Sequence, residues 1–398
     1  MQYGNVAVIG GGIGGLASAI LLSRRGCEVT VYEKSVMAGP VGAGFLLQPP
    51  GQNILRNIGV LDSITNQSVA IKRLVSTNSS GSKILDLDYS DLDGGGRLGL
   101  GVQRSTIYGA LYEVAVESEN IKFEWNSRVE DCDNVGDYVS VKVNDCEHRF
   151  DFVILSAGSN SELADSLFPD RVNNTYDWGC MWTTFSLPES LSPDTLHQKC
   201  SLSSKMLGVL PVLAFEGYFE AALYWSMPTK QMREINAQTF PALKAEIIDF
   251  WPEIGSSVES LSYQDFIPAI YRDIWTPKPY TGRIAAIGDI SHATSPQLGQ
   301  GCTMALLDAF SLVESLMGEP TLTNALEKWW GSRKYQIMYI RHLSRFLTPL
   351  FQSDVSIYSA FRDYIMAPMS SIPFLYRLQL RTLASEVLLD SGITKRCN

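Results

Sequence analysis

No Cys-x-x-Cys pair, no metal-ligand spacing and no Ser-His-Asp or Cys-His arrangement stands out in the 398 residues. The seven cysteines (27, 132, 146, 180, 200, 302 and 397) are scattered and odd in number. That distribution speaks against a disulfide framework and fits a reducing, cytoplasmic setting. No apolar run reaches the ~18 residues of a membrane-spanning helix. Nor does the start show a basic stretch followed by an apolar segment and a small-residue cleavage site. Cations are in deficit, 32 Lys+Arg against 42 Asp+Glu, for a net charge of −10. Nucleic acid is therefore excluded as a general partner, because phosphate binding rests on clustered positive charge.

The deficit is uneven. From Lys328 onward there are ten Lys/Arg and four Asp/Glu, whereas the body before it carries 22 and 38. A basic end on an acidic body reads first as a solvated helical face, with peripheral contact to a membrane surface as the alternative. Hydrophobic residues make up 45% and charged residues 19%, enough apolar material for a large core in two or three domains.

The chain opens on an apolar run, Asn5–Ile9, followed by the turn Gly10–Gly15, helical periodicity over Ile13–Arg25, and a second run, Glu28–Tyr32, that ends at Glu33. Gly10, Gly12 and Gly15 satisfy G-x-G-x-x-G. The first allows a tight turn, the second lets a pyrophosphate approach the backbone, and the third lets helix and strand pack closely. The diphosphate would rest on free N–H groups at the positive end of the helix dipole. Glu33 follows Gly15 by 18 residues, where a carboxylate accepts both ribose hydroxyls and repels a 2′-phosphate. Dinucleotide binding, and not NADP, is the reading; these residues alone do not separate FAD from NAD.

A second motif makes that separation. Arg283–Asp289 reads as a strand ending in Gly288-Asp289, followed by His292, Pro296, the turn Gly299-Gln300-Gly301 and a helix from about 300 to 317. An acid at that strand end suits a ribityl hydroxyl, which FAD has and NAD lacks. The positive end of the later helix would stabilise the negative charge of a reduced flavin ring. Between the two motifs, strands are expected over Ala70–Thr77, Lys83–Asp88, Lys122–Trp125, Tyr138–Val143, Phe150–Ala157, Gly208–Phe215 and Tyr218–Trp225, and a helix over Thr106–Glu117. Trp178, Trp182, Phe215, Tyr224, Trp225 and Met227 read mainly as core, with walling a dry pocket as the second possibility. The last 70 residues read as helices punctuated by Pro349, Pro368 and Pro373.

Taken together, Gly10–Gly15, Glu33, Arg104 in Gly-Val-Gln-Arg, Gly288-Asp289-x-x-His292, Pro296 and Gly299–Gly301 resemble the p-hydroxybenzoate hydroxylase-type (group A) FAD-dependent monooxygenases. Phe351-Gln-Ser-Asp354 and Arg362-Asp363 resemble the C-terminal region of related hydroxylases. The resemblance implies an α/β fold: a Rossmann-like FAD-binding domain of the glutathione-reductase type, an inserted β-sheet substrate domain and a C-terminal helical segment. The expected divisions are 1–72, 100–172 and 277–345 for FAD, 73–99 and 173–276 for substrate, and 346–398 for the helices. It further implies that Gly10, Gly12 and Gly15 hold the pyrophosphate, Glu33 the adenosine ribose, Arg104 the FAD backbone and Asp289 the ribityl chain. Pro296, Gly299, Gln300 and Gly301 would lie beside the isoalloxazine; Ile13, Gly14, Lys34, Gly44, Val129 and Gly288 complete the cofactor candidates. His292 is expected to be structural, and no side chain is assigned as catalytic.

The implied activity is hydroxylation of an aromatic or polycyclic small molecule with O₂, through a flavin C4a-hydroperoxide, with NADPH or NADH as transient reductant. Two departures bear on it. The family's Asp-Gly-x-x-Ser-x-x-Arg motif, tied there to FAD and NAD(P)H use, has Ala157 at the Asp and Ala164 at the Arg. Thr303 replaces a common Asn. An FAD oxidase or reductase that incorporates no oxygen, or a protein binding FAD as a sensor, are the rival readings.

Overall fold

The structure, a computed structural model, describes residues 4–37, 39 and 44–390. Its first layer is a six-stranded sheet in the order Tyr280–Thr281, Ile284–Ala286, Phe152–Leu155, Asn5–Ile9, Glu28–Tyr32, Ile121–Glu124. All neighbours are parallel except the two-residue edge strand. Both faces are covered, which is why its central strands read as unbroken apolar runs such as Phe152-Val-Ile-Leu155. Val6 and Val8 point into a core shared with the helices Ile13–Ser23 and Gly301–Gly318. Ala7 and Ile9 point the other way, against Val139 and Val141 of a three-stranded antiparallel sheet formed by Val129–Val135, Tyr138–Val143 and Cys146–Phe150.

The second layer is a seven-stranded sheet in the order Ile267–Trp275, Val172–Ser186, Tyr218–Pro228, Lys205–Phe215, Thr195–Ser201, Arg73–Asn78, Lys83–Asp88. One pair within it, Thr195–Ser201 with Arg73–Asn78, is parallel, and the others are antiparallel. Its outer face, with Met181, Leu207, Leu223 and Trp225, packs on the helix Phe240–Phe250. Its inner face looks toward the parallel layer. A small sheet of Phe45–Leu47, Gly99–Val102 and Val69–Ile71 sits between the layers. The 30-residue helix Leu322–Phe351 ties the two together: Trp329, Ile337 and Ile340 lie in the first core, while Leu350 and Phe351 reach Ile84 and Cys200 on the second sheet.

The α/β class, the inserted sheet and the helical end are as expected, and the local differences have causes. The helix expected from Thr106 begins at Arg104, because Gln103 is extended and serves as its N-cap. The single strand expected over Phe150–Ala157 is two strands meeting at Asp151, whose carboxylate accepts the N–H groups of Gly4 and Asn5. The run Ala70–Thr77 breaks at Lys72 into strands of two different sheets. Pro349 does not end a helix but sits in its last turn, where one hydrogen bond is forfeited. Phe215 is not core; it is exposed at the tip of a hairpin. Gly301–Gly318 is long and apolar enough to cross a bilayer, but two-thirds of it is buried inside the fold. That burial marks it as a core helix.

Candidate functional site

The first glycine turn is built by close approach. Gly10 has φ +104°, and a Cβ on it would lie 2.6 Å from the Ser156 carbonyl oxygen. A Cβ on Gly15 would lie 2.0 Å from the Gly10 carbonyl oxygen and 2.6 Å from Ser156 Oγ, which donates to that same carbonyl at 2.7 Å. Gly12, by contrast, caps the helix Ile13–Ser23 without a side-chain bond, and a Cβ there would meet open space. The turn is therefore tight against protein on one side and open on the other, as an anion cradle requires. Glu33 Oε2 accepts the Gly11 N–H at 2.8 Å and Oε1 accepts that of Ser35 at 2.9 Å. Its carboxylate thus shapes the turn and keeps lone pairs for a ribose. Lys34 beside it is exposed, and Val129 lies buried in the adjoining small sheet.

The second motif shares this groove through one residue. Ala305, on the helix Gly301–Gly318, lies 3.4 Å from where a Cβ would sit on Gly14 and 3.1 Å from one on Gly288. The two glycine motifs, far apart in sequence, are thereby brought onto one helix. Gly288 has φ +67°, ψ −145°, a backbone open only to glycine, and it turns the chain so that Asp289 starts the short helix Asp289–His292. The Asp289 carboxylate is exposed, makes no hydrogen bond or ion pair among the described residues, and has Oδ1 3.7 Å from a Cβ built on Gly301. Gly299 is left-handed, at φ +62°, and the helix from Gly301 begins without a side-chain cap, so its first N–H groups stay available. Pro296 is exposed. Gln300 is 4% exposed, donates Nε2 to the Thr382 carbonyl, and leaves Oε1 without a partner.

Arg104 is exposed, with its guanidinium 5.9 Å from the Phe45 ring and no ion pair among the described residues. It lies close enough to favour the ionised forms of Tyr224 and Cys302, although burial outweighs it and pushes the Cys302 thiol up to about 12. Gly44 is wedged against Val212, with a Cβ 2.3 Å from Val212 Cγ1, and its carbonyl accepts the Tyr224 hydroxyl.

Several further residues hold this geometry through partners distant in sequence. Asp308, 1% exposed, accepts the Gly288 N–H at 3.0 Å, His292 Nε2 at 2.5 Å and Arg333 Nε at 2.9 Å. Burial alone would raise its pKa, but the opposing charges of His292 and Arg333 hold it at about 2. His292 is thus a hydrogen-bonded structural residue, 7% exposed. Arg333 continues the network to Gln336, which donates to the Ser385 carbonyl at 2.9 Å. Thr303 Oγ1 accepts the Gln48 N–H at 3.2 Å, so the hydroxyl in the Asn position is spent on the strand end at Phe45–Leu47. Ala164 packs in apolar core, while Arg171, from a neighbouring turn, donates Nε to the Ile290 carbonyl at 3.0 Å behind Asp289.

A free carboxylate, an open glycine cradle and two uncapped helix starts along one groove fit an extended, phosphorylated cofactor with a hydroxylated chain. Residues 3–320 match the model of the FAD binding domain family, and the chain belongs to that family. It resembles 6-hydroxynicotinate 3-monooxygenase of Bordetella bronchiseptica, at 27% identity over 321 residues, covering 77% of this chain and 81% of that protein. It also resembles FAD-dependent urate hydroxylase of Klebsiella pneumoniae, at 25% over 335 residues, 82% and 85% of the two chains. Among solved structures, a Klebsiella pneumoniae HpxO variant complexed with FAD superposes with TM-score 0.80 at 20% identity, over 96% of this chain and 99% of that one. The protein is an FAD-dependent oxidoreductase of the aromatic-hydroxylase type, and FAD is its cofactor.

Proposed function

We propose that the protein is a monooxygenase that hydroxylates a small aromatic or polycyclic molecule, drawing electrons from NADPH or NADH. The observation that carries this reading is the shared groove: Gly14 and Gly288 meet on Ala305, with the unpartnered Asp289 and the free N–H groups at Gly301 beyond them. Bound there, FAD would supply activation of O₂ and transfer of one oxygen atom. The chain's own contribution is binding and exclusion. Gly10, Gly12, Ile13, Gly14 and Gly15 would take the pyrophosphate, Glu33 and Lys34 the adenosine end, Arg104 and Val129 the cofactor's length, and Asp289 the ribityl chain. Pro296, Gly299, Gln300, Gly301 and Gly44 would surround the ring, with segments 73–99 and 173–276 closing the site as the substrate domain. The helix dipole at Gly301 would favour negative charge on the ring, and the inner face of the seven-stranded sheet would keep water out.

Incubation with NAD(P)H, ¹⁸O₂ and a heteroaromatic panel is expected to give one labelled oxygen per turnover. O₂ consumption without label would instead select the oxidase reading, which Ala157 and Ala164 favour.

Free thiols at six described cysteines support a cytoplasmic setting. The helical end also supports peripheral contact with an anionic membrane. Phe346, Ile357, Phe361, Tyr364, Ile365 and Phe374 are exposed there, and the exposed Arg377 and Arg381 make no ion pair among the described residues. Flotation with vesicles containing phosphatidylserine should carry the protein upward, and Phe374→Ser with Tyr364→Ser should abolish it; failure of the unmodified protein to float removes the proposal.

A further inference from the structure

The inner face of the seven-stranded sheet has an unusual electrical character. Pairing places Cys180 opposite Ser226, Trp182 opposite Tyr224, and Tyr224 opposite Gly208, so these side chains share the face toward the cofactor groove; Tyr271 follows Ala269, the partner of Cys180, on the same face. Tyr224 fixes the face to the groove through its bond to the Gly44 carbonyl. Charges borne by the sheet itself lie toward the ends of this stretch, and both are engaged; Arg104 reaches Tyr224 from outside the sheet. Glu220 accepts Gln103 Nε2 at 2.5 Å, and Asp273 is held in two bonds of 2.9 Å by Arg341. Burial keeps the Tyr224 and Tyr271 hydroxyls protonated by pushing their pKa values upward.

Into this neutral stretch comes Gln352, one residue beyond the helix Leu322–Phe351 and one turn after Thr348. Thr348 Oγ1 lies 2.6 Å from Ser295 Oγ, next to Pro296, so Gln352 is tethered near the ring end of the groove. Its Nε2 donates to Ser226 Oγ at 2.8 Å. Its Oε1 has no partner, although the residue is only 4% exposed. An acceptor buried with nothing to accept carries a desolvation cost that a ligand donor would relieve. A carboxylate in the same place would face no free cation on the sheet, and the Arg104 guanidinium near Tyr224 is given to the cofactor in the reading above, so the carboxylate would be penalised strongly.

We infer that the pocket selects an uncharged heteroaromatic substrate carrying a ring N–H or O–H donor, and that Gln352 is the residue that reads this donor. The inference rests on the monooxygenase reading above, since it assigns the ligand of that same site.

The test uses the FAD-loaded protein and a matched pair of probes, 4(1H)-quinolone and 4-hydroxyquinoline-2-carboxylate, each titrated against the visible flavin spectrum. The quinolone is expected to perturb the spectrum and bind at least about tenfold more tightly than the carboxylate, a difference of about 1.4 kcal/mol. Gln352→Leu should lower quinolone affinity about tenfold at unchanged flavin content. Should the leucine variant not fold, Ser226→Ala frees the amide from its anchor and should reduce the selectivity between the two probes. Equal or tighter carboxylate binding, an unaffected leucine variant, or no response to either probe overturns the inference. A protein that takes up no flavin at all would instead defeat the reading on which it rests.

Discussion

Gly15→Ala is expected to yield a protein that neither retains flavin nor reaches the melting midpoint of the original. The added methyl would stand 2.0 Å from the Gly10 carbonyl oxygen and 2.6 Å from Ser156 Oγ, so the helix Ile13–Ser23 must lift from its strand. Overpacking of this kind costs about 1–3 kcal/mol where the surroundings yield, and a backbone carbonyl yields little. Gly12→Ala provides the contrast. A methyl there meets no protein atom within 4 Å, so the fold should keep its midpoint while the flavin-to-protein absorbance ratio falls, because the methyl enters the space left for the pyrophosphate. Measuring both quantities on both variants separates packing from binding. Flavin retained in Gly15→Ala, or a lowered midpoint without flavin loss in Gly12→Ala, would contradict this account of the turn.

Asp308→Asn should be the most destabilising single change in the late motif. It leaves Arg333, fully buried, and His292 without the carboxylate that compensates them. Removing one partner of a buried pair typically costs about 3–5 kcal/mol. The Gly288 turn, held by the same carboxylate at 3.0 Å, should loosen too, so flavin affinity should fall along with stability. The pH dependence follows from the sign of the shift. The folded carboxyl sits at about 2, below its ordinary value of 3.8, so its contribution is complete above roughly pH 5 and is lost as pH falls through 4 toward 2. At about 1.4 kcal/mol per unit the contribution is on the order of 2 kcal/mol. Chemical denaturation from pH 6 down to pH 3 should show this decline in the original protein and a flatter curve in the variant. A variant as stable as the original at pH 7 would remove Asp308 from the account.

What could be read in the sequence is the part that repeats a local rule. Asn5–Ile9 and Glu28–Tyr32 were legible because buried parallel strands are continuous apolar runs. The glycine turns were legible because only glycine tolerates φ near +104° at Gly10 or +67° at Gly288. The roles of Asp308 and Arg333 were not, because a charge on a helix gives no local hint of whether it faces water or a partner elsewhere in the chain, and Gln352, although part of the Phe351–Asp354 motif, meets its partner Ser226 only in the fold. Arg333 lies on the same helix as the exposed Tyr335, and only tertiary packing tells them apart. The sheet break at Lys72 was hidden for a similar reason: the run is continuous in hydrophobicity, and its two halves separate only because each finds a different neighbour.

The order of strands in the two sheets sets a condition on how the chain acquires its shape. Ile284–Ala286 completes the parallel layer begun by Asn5–Ile9, and Arg73–Asn78 must wait for Thr195–Ser201 before its inner edge is covered. During synthesis neither layer can close until the ribosome has delivered nearly three-quarters of the polypeptide, and such distant pairings are slow to form and leave bare edges meanwhile. Recovery of active material from a denatured state should therefore depend steeply on dilution, with association between half-assembled chains as the competing fate.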